Sequence, residues 1–258
     1  MESTIAASAL ASLIARLVVH PIDTLKTIIQ NGNSASSIAK TPLGLYQGVG
    51  VTVLFSVPAM TIYLATYDNV KSRFVDRNID SVWSHGVSAA SAEALAGILF
   101  TPMEVVKQKL QVNIKASTFS IIADVFKQNG LLGFYRGYFL TECVFVPYTV
   151  TYFVTYEKLK KYCQSGVEST QQNATIPLHM YLTCSSIAAT LGGIVTNPLD
   201  IIKTRVQITG KSALSVTKQL WNEGGWKSFT RGLGIRTAWI VPNMSITITL
   251  FEYLKSTL

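Results

Sequence analysis

Three stretches of the chain share one spacing: PIDTLKTIIQ at residues 21–30, PMEVVKQKLQ at residues 102–111 and PLDIIKTRVQ at residues 198–207. Each places an acid two residues after a proline, a lysine five after it and a glutamine nine after it. With ordinary residue usage such a match arises by chance at about one position in 10⁵, so three of them mark an internal triplication. A second pattern follows each one: YDNVK from Tyr67, YEKLK from Tyr156 and FEYLK from Phe251, with Pro58, Pro147 and Pro242 ten residues before the acid. A third is LYQG from Leu45, FYRG from Phe134 and FTRG from Phe229. The unit is a Pro-kinked helix, a connector and a second helix. It is used three times, at approximately residues 1–75, 83–162 and 176–258 of a single domain spanning residues 1–258.

Composition says what solvent this unit sits in. Of 258 residues 48% are apolar and 14% charged, with a mean hydropathy of +0.32. Soluble domains carry about 25% charged residues, so lipid is expected to be part of the surroundings. Apolar stretches of membrane length fall near residues 5–30, 49–74, 84–112, 138–162, 177–207 and 233–257. Six spans put both termini on one side. The interrupting Gly, Pro, Ser and Thr are tolerated in packed membrane helices, where neighbours satisfy the freed backbone groups. The expectation is an all-α membrane protein of six transmembrane helices in three pseudosymmetric repeats, with short surface helices between the paired helices. Phe119, Ile122, Val125 and Phe126 share one helical face in the second connector, and Val216, Leu220 and Trp221 do so in the third.

Other classes drop out. The apolar N-terminal span runs into the first proline motif without a cleavage pattern, so it reads as part of the fold rather than as a signal peptide. The net charge of +8 sits beside apolar spans, as expected of lipid-facing basic residues, and nucleic acid is not an expected partner. Cys143, Cys163 and Cys184 are few and odd in number, and His20, His85 and His179 form no i, i+4 pair. Neither a disulfide scaffold nor a metal site is therefore expected. No nucleophile–base pair or phosphate loop suggests an enzyme, and no cofactor is implied.

These motifs together resemble the mitochondrial carrier family over essentially the whole chain. The resemblance implies a six-helix bundle in the inner mitochondrial membrane that moves one small solute by alternating access, as a monomer with bound cardiolipin. SAASAEALAGILFTPMEVVKQKLQV, FYRGY and the short first connector look most like the S-adenosylmethionine carriers, while VPYTVTYFVTYEKLK is closer to the mitoferrin-like iron carriers. One departure stands out: where S-adenosylmethionine carriers have an Arg-Glu pair before the fourth-helix proline, this chain has Val144 and Phe145. A receptor or scaffold that kept the fold without transport is the reading from another class.

Charges inside a bilayer need partners. Threefold repetition places Asp23, Glu104 and Asp200 in one layer with Lys26, Lys107 and Lys203, so an acid on one helix can meet a lysine on the next and close a ring. By the resemblance this ring is the matrix gate, with Gln30, Gln111 and Gln207 as braces. Asp68, Glu157 and Glu252 with Lys71, Lys160 and Lys255 make a second ring, the cytoplasmic gate, braced by Tyr67 and Tyr156. Ion pairs of marginal net stability suit contacts that break in every cycle. Ile28 replaces the basic Lys109 and Arg205, and Gln47 replaces Arg136 and Arg231, which is expected to weaken the basic surface of the first unit.

The solute site belongs between the rings. Arg16 lies seven residues before Asp23 and Glu93 eleven before Glu104, which puts both on cavity-facing positions. Neither has an equivalent in the other repeats. The family's contact positions fall on Phe55 and Ser56, Val144 and Phe145, and Trp239 and Ile240, with Glu142 and Arg236 one turn earlier. These acids, arginines and aromatics suit a cationic, zwitterionic solute with a purine ring. Gly48, Gly137 and Gly232 open the even helices, where exposed N–H groups would take a lipid phosphate.

Overall fold

The structure, a computed structural model, describes residues 2–32, 42–77, 82–113, 115–166 and 178–257. Six long helices carry the repeats: α1 (Glu2–Asn31), α2 (Val49–Val75), α3 (Val82–Val112), α5 (Tyr138–Gly166), α6 (Leu178–Thr209) and α9 (Leu233–Thr257). Shorter helices α4 (Thr118–Asn129), α7 (Ala213–Gly224) and α8 (Trp226–Phe229) lie in the connectors. The described residues are helical throughout their regular structure, without strands. Each long helix runs through its own proline, Pro21, Pro58, Pro102, Pro147, Pro198 or Pro242. Proline removes one backbone hydrogen bond and costs about 3 kcal/mol in a solvated helix, so these helices depend on their neighbours.

Around the bundle α2 packs on α3, α5 on α6 and α9 back on α1, which closes a circle of six. Its polarity is reversed relative to a water-soluble protein. Leu10, Ile14 and Val18 on α1, and Ile187, Leu191 and Ile194 on α6, form outward apolar stripes. Asp23, Gln30, Gln111, Asp200, Lys203 and Gln207 are buried inside. Stripes of that kind in water would be a liability; in lipid they are the solvent-matched surface. Among the described residues, the stretches Gly44–Val75 and Ser84–Val112 are long and apolar enough by composition to cross a membrane.

The surface helices differ from their expected orientation. Ser117 and Ser212 cap α4 and α7 by accepting from the N–H groups of Ser120 and Ser215. The inward face of α4 is Ile121 and Val125, while Phe119, Ile122 and Phe126 are exposed. On α7 Val216 and Leu220 point inward and Trp221 is exposed. Both helices are apolar on two sides: one side fills the core, and the other is free to enter the lipid interface.

Ile28 and its counterparts also take a different role from the surface one expected. Lys109 Nζ donates to the carbonyl of Ile208 at 2.6 Å, and Arg205 Nε donates to the carbonyl of Gln30 at 3.0 Å. Each cation therefore caps the negative C-terminal end of the following repeat's odd helix, where carbonyls lack partners. In the first repeat Ile28 is fully buried and makes no such clamp. Here Gln47 Nε2 reaches the carbonyl of Ala116 at 3.2 Å, and Thr24 donates to the carbonyl of Leu45 at 2.7 Å.

The turns before α2, α5 and α9 need glycine. Gly137 has φ +83° and Gly232 φ +76°, and a Cβ there would lie 3.0 Å from Gln207 Cγ or 3.2 Å from Gln30 Cγ. The connector is thus pressed onto the brace residue of another repeat.

Arg205 also donates to Glu223 Oε1 at 2.8 Å. That hydrogen bond, helped by Gln219 and Arg231, holds the Glu223 carboxyl below the usual carboxylate range. A depressed folded-state pKa stabilises above the unfolded value and is lost as pH falls. Glu223→Gln is therefore expected to flatten the decline of thermal stability between about pH 5 and pH 3, measured by unfolding scans in detergent.

Candidate solute cavity and the ring beneath it

Proline, acid and lysine sit on the same odd helix, and an intrahelical pair at i, i+3 would be possible. The structure pairs them between helices instead. Lys107 meets Asp23 at 2.5 Å, Lys203 meets Glu104 at 2.7 Å and Lys26 meets Asp200 at 2.9 Å. Each lysine reaches the acid of another repeat, so α1, α3 and α6 close a ring. Each acid also accepts from a glutamine: Asp200 from Gln30 at 2.8 Å, Asp23 from Gln111 at 3.2 Å and Glu104 from Gln207 at 3.2 Å. Thr24 and Thr204, which the motif spacing does not single out, orient two of these amides. Gln111 Nε2 donates to Thr24 Oγ1, and Thr204 Oγ1 donates to Gln30 Oε1.

One corner differs. Asp200 Oδ2 faces Lys26 at 2.9 Å, Gln30 at 2.8 Å and Arg236 Nη1 at 3.2 Å. Three donors converge on one oxygen, and Arg236 Nη1 gains an ion contact without a well-aligned hydrogen bond. Its Nη2 donates to Thr196 Oγ1 at 2.8 Å. Arg236 takes the place of Thr52 and Thr141, which lie six residues before the even-helix prolines of the other repeats. Buried and charged, it belongs to the ring as much as to the space above it. Lys26 is further held over the Trp239 ring, 5.3 Å from its centroid.

Above the ring lies a cavity of about 360 Å³ lined by Arg16, Glu93, Val144, Phe145, Arg236, Trp239 and Ile240, together with Thr141, Tyr148 and Asn243. That volume lies within the range of small-molecule sites. Tyr148 and Asn243 were not expected, although a signal existed: each directly follows an even-helix proline, as Ala59 does in the first repeat. Arg16 and Glu93 make no ion pair among the described residues. The Arg16 guanidinium lies 5.2 Å from the Phe100 ring centroid.

Three expected contacts lie elsewhere. Phe55 packs against the apolar cluster of Val51, Met103, Val106 and Leu110, between α2 and α3. An aromatic ring gains more from apolar burial there than from a charged cavity. Ser56 is buried, and its hydroxyl has no protein partner. Glu142 lies beside Gly97, where a Cβ would come within 3.8 Å of its Oε1, rather than on the cavity lining. It is adjacent to the cavity-facing Thr141, and the helical step turns it onto α3.

Among the described residues the second ring is not paired. Asp68, Lys71, Glu157 and Lys160 form no ion pair among the described residues, and the side chains of Glu252 and Lys255 lie outside them. Tyr67 bonds His85 at 3.0 Å, Lys71 lies over the Tyr67 ring, and Tyr156 stacks on Tyr152.

Residues 2–78, 79–166 and 174–258 each match the family model described as mitochondrial carrier protein. The chain belongs to the mitochondrial carrier family. This carrier is 32% identical to an uncharacterized mitochondrial carrier of Schizosaccharomyces pombe, covering 98% of this chain and 97% of that one. It is 30% identical to the carrier protein PET8 of Eremothecium gossypii, covering 99% of each. With the mitoferrin of Dictyostelium discoideum it shares 29% identity, over 92% of this chain and 88% of that one. Carriers of this family are transporters of small solutes rather than enzymes.

Removing one partner of a buried ion pair typically costs about 3–5 kcal/mol. Asp200→Asn strands two cations, Lys26 and Arg236, where Asp23→Asn strands Lys107 alone. The carrier's thermal unfolding temperature in detergent is expected to fall further for Asp200→Asn than for Asp23→Asn.

Proposed function

We propose that this carrier moves S-adenosylmethionine, or a related amino-acid or nucleoside-like zwitterion, across the inner mitochondrial membrane by alternating access. The observation that carries this reading is a pair of cavity-lining charges of opposite sign, Arg16 and Glu93, with no ion-pair partner among the described residues. The acids and lysines of the ring beneath the cavity, Asp23, Glu104 and Asp200 with Lys107, Lys203 and Lys26, are paired with one another, which leaves Arg16 and Glu93 as lining charges for a solute. A carboxylate end would meet Arg16, a sulfonium or ammonium group would meet Glu93, and Phe145, Tyr148 and Trp239 offer faces for a purine. Arg236 supplies a second anion contact once it leaves the crowded oxygen of Asp200.

On this reading the ion-pair ring of α1, α3 and α6 is the matrix gate, and the unpaired set around Asp68, Lys71, Glu157 and Lys160 is the cytoplasmic gate. The conformation described is the one open to the cytoplasmic side. Binding energy drives the change only to the extent that the solute holds the second conformation more tightly than the first. Cardiolipin phosphate is assigned to the helix starts after Gly48, Gly137 and Gly232, with weaker occupancy at Gly48, where Gln47 stands in place of arginine.

The test is labelled S-adenosylmethionine uptake into proteoliposomes. Glu93→Gln and Arg16→Ala should each weaken apparent affinity about tenfold to a hundredfold, since a charge-assisted hydrogen bond is worth about 1.5 to 3 kcal/mol. Lys203→Glu should cripple transport, and pairing it with Glu104→Lys should restore part of it. Similarity to a mitoferrin makes ferrous iron the competing cargo in the same liposomes; uptake of iron without S-adenosylmethionine would overturn the solute assignment and leave the carrier intact.

A further inference from the structure

Two of the three cysteines face each other. Cys163, near the end of α5, and Cys184, in the first half of α6, have their sulfurs 3.7 Å apart. Cys184 is buried and Cys163 partly exposed. A disulfide needs about 2.05 Å between sulfurs, and thiols already in van der Waals contact approach that by a small side-chain rotation. Cys143, on the same α5, serves as the internal control. The two helices are otherwise close, with Tyr152 bonded to Ser185 at 2.9 Å and the Tyr148 ring against Gly192.

We propose that Cys163 and Cys184 are a dithiol modification site, which a peroxide converts to a disulfide strapping the second repeat to the third. Cys163, the accessible thiol, reacts first as its thiolate. Its sulfur attacks one peroxide oxygen, the O–O bond breaks, and the leaving hydroxide takes up a proton, giving Cys163 sulfenic acid and one water. The Cys184 thiolate then attacks that sulfur and displaces its hydroxyl, which leaves as the second water. Two thiols lose two electrons and two protons in all, and hydrogen peroxide becomes two waters. A dithiol reductant reverses the bond by exchange.

The bond sits three residues beyond Lys160, at the end of the bundle away from the closed ring. It ties the end of α5 to α6 where, on the alternating-access reading on which this consequence rests, Glu157 and Lys160 swing inward to form the cytoplasmic gate. The oxidised carrier is held open on that side.

The purified full chain, treated with hydrogen peroxide, is digested and read by mass spectrometry. The expected product is a Cys163–Cys184 linked peptide pair, two hydrogens lighter than the sum. It should persist in Cys143→Ser, vanish in Cys163→Ser and Cys184→Ser, and be reversed by dithiothreitol. Both thiols remaining separately alkylatable, or oxidised without a link, overturns the site. The linked protein should unfold several degrees higher than the reduced one, because the bond restricts the unfolded chain; no rise overturns the strap. In proteoliposomes, peroxide should lower S-adenosylmethionine uptake at least tenfold in wild type, reversibly, and leave both serine variants unaffected. Full transport by linked protein overturns its hold on the gate. Failure of the reduced carrier to take up this solute counts against the solute assignment, not against the bond, which the mass and unfolding measurements read independently.

Discussion

A lysine or a carboxylate inside a bilayer is costly unless it meets a partner or a watery interior, and each repeat of this chain places one of each three residues apart on a single helix. The nearest solution, pairing within the helix, would leave three independent helices. Pairing between repeats instead fixes their neighbours and makes a closed circle necessary, because a third acid left over at an open edge would have no partner. The six-helix order, the inward polarity and the position of the cavity all follow from that closure. The prolines add to it: helices weakened at the depth of the ring gain from being held together at that depth.

The fold was legible because triplication multiplies a weak signal. One Pro-x-acid-x-x-Lys stretch says little, whereas Asp23, Glu104 and Asp200 in register define helices, repeat length and symmetry together. The glutamine braces were legible for the same reason. The cavity was legible where residues break the repeat on an odd helix, as Arg16 and Glu93 do. It was less so on the even helices, where Val144, Phe145, Trp239 and Ile240 line the cavity and Phe55 does not. Phe55 shares its spacing with Trp239, yet α2 seats it against α3. Tyr148 and Asn243 reach the cavity from the position after the proline. Spacing gives the face of an ideal helix but not which neighbour that face packs against.

Sequence patterning also could not give the state of the molecule. Two rings of equal motif quality are written into the chain, and among the described residues the structure pairs one. Arg236 shows how the paired ring departs from threefold symmetry: it adds a third donor to an oxygen that Lys26 and Gln30 already fill. The corner at Asp200 therefore has a different electrostatic balance from those at Asp23 and Glu104.

Buried Ile28 extends that asymmetry to the helix ends. A carrier descended from three equal copies would have three equal seams, and any of them could part first. Lys109 and Arg205 fasten two of the seams by capping the next odd helix, and the seam between α1 and α3 lacks its fastening. Gene triplication thus supplies more than a symmetric scaffold. Once the copies diverge, each seam can be loosened by a single residue, and a ring that is geometrically threefold acquires an order in which its joints give way.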